Sequence, residues 1–170
     1  VELVDGPQPH FKAVAEKSVG AFPIVSPILV VETTAFAVCD GGQLTRFALP
    51  SLENVGQTDL PGDVVWGPYR VGDLLVVATA NDQLVAVDRD GSIAWSEVVQ
   101  EGDLAGPPLA IDDDVLLAYR QGILERRGLA DGKSAGRLDV EHPLAAGPVR
   151  FMDRIVLAAH DGTLLVVEQP

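Results

Sequence analysis

A small residue followed by proline recurs four times along the chain at a nearly constant interval. The pairs are Ser26-Pro27, Gly67-Pro68, Gly106-Pro107 and Gly147-Pro148. Their prolines lie 41, 39 and 41 residues apart in a chain of 170 residues. A repeat of this length indicates one supersecondary unit that buries its apolar face against neighbouring units, because so short a segment cannot enclose a core alone.

Each unit reads as an antiparallel meander. A short apolar strand follows each proline, and a polar turn leads into a strongly apolar strand. A hairpin turn of residues that tolerate positive φ comes next in every unit: Asp40-Gly41-Gly42, Asn81-Asp82, Gln121-Gly122 and Asp161-Gly162. A third strand follows each turn, and two units continue through Asp90-Gly91 or Asp131-Gly132 into a fourth. No long segment shows the 3.6-residue apolar rhythm of a helix. The sequence therefore predicts an all-β fold, a β-propeller of about four four-stranded blades.

The predicted blades fill a single domain over residues 1–170. Their approximate bounds are 27–67, 68–106, 107–147 and 148–170, and the last has only three strands. We expect an N-terminal strand near residues 10–16 to complete it, because this segment precedes Pro27 as other outer strands precede their prolines. Either one chain closes on itself as a four-bladed ring, or it is half of an eight-bladed ring. The other half would come from a second copy or from further sequence; since the chain starts at Val1, we expect a processed form or a fragment.

Composition and charge exclude several classes of partner. Hydrophobic residues make up 47% of the chain and aromatic residues 5%, so the core is mainly aliphatic and suits strands. The formal net charge of -13 disfavours binding to nucleic acids and to anionic membrane surfaces. The single cysteine, Cys39, allows no intrachain disulfide and lies in an apolar stretch, so we expect it to be buried. No apolar run is long enough to suggest a transmembrane helix.

The stretch from Leu84 to Trp95 resembles the pyrroloquinoline-quinone (PQQ) repeat. Ala86, Asp88, Gly91 and Trp95 match its pattern of Ala-x-Asp, a turn that ends in Gly, and Trp on the outer strand. In typical members that tryptophan docks neighbouring blades, so we expect Trp95 to pack rather than to bind. The equivalent positions in the other units are Ala15, Gly56 and Gly136, where we expect aliphatic contacts between blades instead. The resemblance also favours the eight-bladed closure, the usual ring size of that family.

The resemblance implies two kinds of function. One is a quinoprotein dehydrogenase, which would need PQQ, a metal held by carboxylate and amide oxygens, and an acidic base. The other is a non-catalytic member, such as the propeller lipoprotein of the bacterial outer-membrane assembly machine. Enzymes of the family typically carry adjacent cysteines and long insertions, which this chain lacks. We therefore predict no enzyme, no catalytic residue, no cofactor and no metal.

Other candidate residues have simpler explanations. Asp112-Asp113-Asp114 occupies a turn that recurs in each unit and lacks the spacing of a calcium loop. His10, His142 and His160 lie in three different settings and form no zinc motif.

Binding to a protein or peptide is the function that remains. Loops between blades surround one rim of a propeller, and Trp66 lies in such a loop. Trp66 is the candidate partner-binding residue, although it also suits packing between blades. We expect a bacterial, extracytoplasmic scaffold without membrane insertion, with a homodimer or further blades as its closure; a ligand-sensing domain is the third alternative.

Overall fold

The computed structural model describes residues 2–4, 10–19 and 22–168, and its regular structure there is entirely β. A separate pair consists of β1 (Glu2–Val4) and β2 (His10–Lys12). The first sheet contains β3 (Leu29–Val31), β4 (Thr34–Cys39), β5 (Gln43–Ala48) and β6 (Glu53–Asp59). The second contains β7 (Val64–Val71), β8 (Leu74–Thr79), β9 (Gln83–Val87) and β10 (Ile93–Val98). The third contains β11 (Leu109–Ile111), β12 (Asp114–Ala118), β13 (Ile123–Gly128) and β14 (Ser134–Asp139), and the fourth contains β15 (Val149–Phe151), β16 (Arg154–Ala158) and β17 (Leu164–Glu168).

Every sheet is an antiparallel meander in chain order, and the structural period is 40 residues. The last residue of each first strand shows it, at positions 31, 71, 111 and 151. By this register Pro27 and Pro107 are equivalent to Gly67 and Gly147, not to Pro68 and Pro148. The proline intervals alternate around 40 for that reason. The first sheet also has a fourth strand, β6, which the turn signals had indicated only for the second and third units.

The turn between the first two strands of each sheet has the same backbone in all four repeats. Its first residue has a positive φ of 54° at Glu32, 61° at Gly72, 49° at Asp112 and 56° at Met152. Only one of these is glycine, so the hairpin register, rather than the local residue, imposes the left-handed conformation. Asp112 and Asp113 therefore belong to a recurrent turn, as the sequence indicated.

Side chains alternate between the two faces of each sheet, and both faces are apolar. The face that one sheet turns toward the next carries equivalent buried residues in the first three sheets: Val31, Phe36 and Leu44; Val71, Val76 and Leu84; Ile111, Leu116 and Leu124. Each set packs against the opposite face of the following sheet, which supplies Leu75 and Val77, Val115 and Leu117, or Ile155 and Leu157. The core is thus three similar interfaces, called seams here, between four sheets in a row.

The fourth sheet has three strands among the described residues, which leaves one edge of β17 without a strand partner there. A strand does lie at His10–Lys12, within the expected N-terminal segment, but it pairs with Glu2–Val4. Residues 13–19 form no strand. Completion of the fourth sheet by the N-terminal segment therefore stays a prediction.

Candidate interaction surface

Trp95 joins the second sheet to the third. Its side chain is 8% exposed, and its indole N–H donates a hydrogen bond of 2.7 Å to the Leu129 carbonyl. The ring lies against Gly132, where any Cβ would overlap it. The register places Trp95 opposite Ala86 and gives Gly56 and Gly136 as its equivalents. The packing role expected from the sequence is confirmed.

An arginine occupies the corresponding place at the first seam. Arg46 lies opposite Gly56 across the β5–β6 ladder, and its guanidinium fills the space above that glycine. The same group lies against Gly91 of the second sheet, much as Trp95 lies against Gly132. The expectation of aliphatic contacts alone was wrong at this seam. A glycine on the outer strand leaves room for a long side chain from the neighbouring strand, and the arginine uses it.

A buried polar cluster lies at the second seam. The Tyr119 hydroxyl donates to Glu125 Oε2 at 2.7 Å, and Arg127 Nε donates to the same oxygen at 2.8 Å. Arg127 also donates to the carbonyls of Gly132 and Val98. Every member is buried, so the ion pair is shielded from water and its hydrogen bonds are nearly complete.

Burial and hydrogen bonding act in opposite directions on the acid of this cluster. Burial alone would raise the pKa of Glu125, but hydrogen bonds from Arg127, Ser134 and Tyr119 outweigh it and hold the pKa below its ordinary value. Burial, with the nearby Glu125 carboxylate, raises the pKa of Tyr119 far above the usual range. The cluster is therefore a charged carboxylate held by a guanidinium and a neutral phenol, an arrangement that stabilises the seam.

A cleft of about 480 Å³ opens at the rim of the second seam. We call it the Trp66 cleft. Its apolar wall includes Val65, Trp66, Tyr69 and Leu104, and its polar lining includes Asp82, Asp103 and Arg120. Backbone hydrogen bonds from Val99 to Asp82 and from Arg120 to Asp103 fix the two loops that border it. The cleft therefore has a rigid apolar floor and a charged edge.

Trp66 is half-buried and serves both packing and lining. Its indole N–H donates a bond of 2.9 Å to the carbonyl of Gly106, the equivalent position of the next sheet. Its ring lies 4.6 Å from that of Tyr69, centroid to centroid, at 55°. The sequence left open whether Trp66 packs between sheets or lies in a rim loop available to a partner. In the structure Trp66 does both: it packs against the next sheet and lines the cleft. Whether Trp66 binds a partner stays a prediction.

The sequence pointed to Trp66 but missed its neighbours in the cleft. Asp82 lies in a hairpin turn, while Asp103 and Arg120 flank the next sheet. The signal available was the period itself, because positions about 40 residues apart face each other across a seam. Asp82, Asp103 and Arg120 are exposed, so the cleft offers two carboxylates and one guanidinium to a ligand.

The other candidates do not form a site in the described part of the chain. His142 Nδ1 lies 3.1 Å from Asp161 Oδ2, and backbone and side-chain bonds from Thr163 lower the Asp161 pKa, with a smaller contribution from His142. No group of three or more His, Cys, Asp or Glu residues is placed to hold a metal among the described residues. Cys39 is buried, as expected. No helix described is long and apolar enough to cross a membrane. The side chain of His10 lies outside the described residues.

Neither a protein-family model nor a curated protein sequence matches the chain. Solved structures do match it. The WD40 domain of Neurospora crassa Pan2 is similar at a TM-score of 0.64 and 14% identity, covering 88% of this chain and 48% of that domain. BamB from Moraxella catarrhalis is similar at a TM-score of 0.69 and 16% identity, covering 85% of this chain and 46% of BamB. The fold is a β-propeller.

The computationally designed protein Ika4 is also similar, at a TM-score of 0.74 and 10% identity. That match covers 94% of this chain and 99% of Ika4, whereas the chain spans about half the length of BamB and of the Pan2 domain. At these identities the matches establish the propeller fold, which confirms the predicted fold class.

Proposed function

We propose that this chain is a non-catalytic protein-interaction module that binds a peptide segment of its partner in the Trp66 cleft. The observation that carries the proposal is the cleft itself. It is concave and lies at the rim, and it combines an aromatic and aliphatic floor with a few polar groups. Such a combination suits recognition of a side chain together with the backbone around it.

The chemistry of the cleft favours one class of peptide. An aliphatic or aromatic side chain would pack on Trp66 and Tyr69, whose rings are fixed by the Gly106 hydrogen bond and by each other. Asp82 and Asp103 would attract a basic group next to that anchor. The chain's net charge of -13 adds long-range attraction for basic segments. The proposed ligand is therefore a peptide with an apolar anchor flanked by lysine or arginine.

Selection from a random peptide library displayed on phage tests this proposal. We expect enriched peptides to share an apolar residue next to a basic one. In a Trp95→Phe background Trp66 is the remaining tryptophan of the two in the chain, so its fluorescence reports on the cleft directly. The selected peptides should change that fluorescence.

Two variants separate the cleft from the rest of the surface. Trp66→Ala should weaken binding at least tenfold. Asp103→Lys should weaken binding of the basic peptides without unfolding the protein, because Asp103 is exposed. Val55→Ala, at an exposed position of the first sheet, is the control that should bind normally. Peptides that bind equally well to Trp66→Ala and Asp103→Lys would refute the proposal.

The repeat type and the location form a second part of the proposal. The chain is a PQQ-like repeat propeller of residues 1–170 that acts in a bacterial extracytoplasmic compartment. Support comes from the second sheet, where the Ser92 amide donates to Asp88 Oδ1 at 2.9 Å and closes the turn before Trp95. The similarity to BamB is compatible with this assignment. Fractionation of the source cells tests the location: the chain should be protected from cytosolic labelling and found outside the inner membrane, and recovery with the cytosol would contradict it.

A further inference from the structure

The fourth sheet exposes a face that is buried in every other sheet. Phe151 and Leu164 are 61% and 71% exposed. Their equivalents one period earlier, Ile111 and Leu124, are 1% and 2% exposed because they pack against the fourth sheet. The register places Val149, Val156 and Val166 on the same face as Phe151 and Leu164. The fourth sheet thus ends in an apolar face that no described residue covers as a neighbouring sheet would.

The first sheet has the corresponding face at the other end of the row, which Val19, Leu49 and Leu52 cover in place of a preceding sheet. Its residues Ala35, Ala37 and Phe47 are equivalent to those that receive the preceding sheet at each seam. Ile24 is 40% exposed, whereas its equivalents Leu104 and Leu144 are 8% and 0% exposed. Residues Val19, Ile24 and Ile28 lie over part of this face and leave an apolar cavity of about 140 Å³. The cavity lies where a preceding sheet would pack.

Residue sizes on the two end faces differ from those at the inner seams. On the fourth sheet, Phe151 is larger than the Val31, Val71 and Ile111 that occupy its position elsewhere. On the first sheet, Ala35 and Ala37 are smaller than their equivalents, which are leucine, valine or isoleucine. A large residue on one face and small residues on the other keep the packed volume nearly constant. At the third position of the first-sheet face the order is reversed, because Phe47 is larger than its equivalents Val87 and Val167.

We infer that the exposed face of the fourth sheet binds the first sheet of a second copy of this chain, so that two copies close one propeller ring. The contact joins the last sheet of one copy to the first sheet of the other. A two-fold axis relates the two copies, so the same contact forms twice and both end faces of each copy are covered. The chain covers 46% of BamB, so two copies of it correspond in size to one BamB. The match to Ika4 covers 99% of that protein, which indicates that a row of four sheets occurs as a whole protein. This inference does not depend on the Trp66 cleft.

The N-terminal segment has a place in such a ring. Residues 13–19 lie one period before β6 (Glu53–Asp59), which is the position of an outer strand, yet they form no strand here. Among the described residues, no outer strand pairs with the free edge of β17. In the two-copy ring, residues 13–19 of each copy would pair with β17 of the other and satisfy its backbone groups.

Light scattering on the purified 170-residue chain tests the inference. We expect about twice the chain mass of 18.0 kDa. Leu164→Arg should reduce the mass to that of one chain, because it places a charge in the proposed seam, while its circular dichroism stays unchanged. Val98→Arg introduces the same charge at an exposed position of the second sheet, which carries neither end face, and should remain dimeric. A folded wild-type monomer at 100 μM would overturn the inference and leave the face to further blades of a longer chain. An open-ended series of larger masses would overturn the closed ring.

Crosslinking distinguishes the orientation of the two copies. Leu124 and Leu144, the equivalents of Leu164 and Ile24, share one buried cluster at the third seam. In a Cys39→Ala background, needed because Cys39 forms a β-bridge with Ile24, a short bis-maleimide should therefore join Leu164→Cys of one copy to Ile24→Cys of another when the two variants are mixed. Leu164→Cys alone should give no crosslinked dimer, because two fourth sheets do not meet. Crosslinking of Leu164→Cys to itself would show a face-to-face dimer instead and would contradict the ring.

Discussion

The indole N–H of Trp95 donates a 2.7 Å hydrogen bond to the carbonyl of Leu129, thirty-four residues away in the next sheet. This bond and the packing of the ring on Gly132 hold the outer strands of the second and third sheets together. The inner strands of this seam are joined by aliphatic contacts, so Trp95 ties the periphery where the sheets would otherwise splay apart.

Removal of the Trp95 side chain should destabilise the protein strongly. Trp95→Ala is expected to cost about 3–5 kcal/mol in the free energy of unfolding, since a large buried aromatic side chain is lost. Trp95→Phe keeps most of the packing but loses the hydrogen bond, so it should cost less. Chemical denaturation followed by circular dichroism measures both. Equal losses in the two variants would show that the hydrogen bond, not the packing, dominates.

Gly132 and Gly162 separate the effect of crowding from that of backbone strain. Both have positive φ, 73° and 89°, but a Cβ at Gly132 would overlap the Trp95 ring while one at Gly162 has nothing within 4 Å. Gly162→Ala should cost about 1–2 kcal/mol for the left-handed conformation. Gly132→Ala should cost a further ~1–3 kcal/mol because the ring must move. Thermal unfolding of the two variants side by side is the measurement, and equal costs would argue against close packing of Trp95 on Gly132.

The Arg46–Gly56 pair of the first sheet should be replaceable by the Ala–Trp pair that the second sheet has at Ala86 and Trp95. Gly56→Trp alone should destabilise the protein by about 1–3 kcal/mol, because the new side chain competes with the Arg46 guanidinium for one space. In the double variant Arg46→Ala, Gly56→Trp that competition is removed, so most of the stability should return. A double-mutant cycle measured by urea unfolding gives the coupling. Purely additive effects would contradict the shared space.

The buried Glu125–Arg127 pair should make the second seam sensitive to single substitutions. Glu125→Gln or Arg127→Met alone should cost about 3–5 kcal/mol, because either leaves an unpaired buried group. A triple variant replaces the cluster with apolar groups: Glu125→Leu and Arg127→Val introduce the residue types at the equivalent positions of the fourth sheet, and Tyr119→Phe removes the hydroxyl. The triple variant should be much less destabilised than either single variant. Urea unfolding of the three proteins checks this, and a triple variant that is less stable than the singles would be contrary evidence.

The same cluster should contribute to acid sensitivity. The pKa of Glu125 is lowered in the folded state, so its contribution to stability is complete above its ordinary value of 4.5 and is lost as the pH falls through the lowered folded value. The stability difference between the wild type and Glu125→Gln should therefore shrink as the pH is lowered below about 4.5. Urea unfolding from pH 7 to pH 3 measures it. A difference that does not depend on pH would mean that Glu125 is not ionised in the folded protein.

The strands and hairpins follow directly from the sequence. Turn residues such as Asp161-Gly162 and the aliphatic runs between them act locally, and their recurrence made the propeller predictable without any tertiary information. The motif around Ala86 and Trp95 likewise identified a packing residue correctly. The true period of 40 was hidden, because proline or glycine is acceptable at the same turn position and the proline markers shift by one residue.

Tertiary structure decided what lies across each seam. Nothing local to Arg46 indicates that its guanidinium replaces a tryptophan, since that depends on the space left by Gly56 and Gly91 from other strands. The Trp66 cleft needs two loops from neighbouring sheets, so its acidic residues are far apart in the chain. The apolar end faces were also invisible in the sequence, because Leu164 and Leu124 look alike there; only the presence or absence of a neighbouring sheet makes one of them exposed.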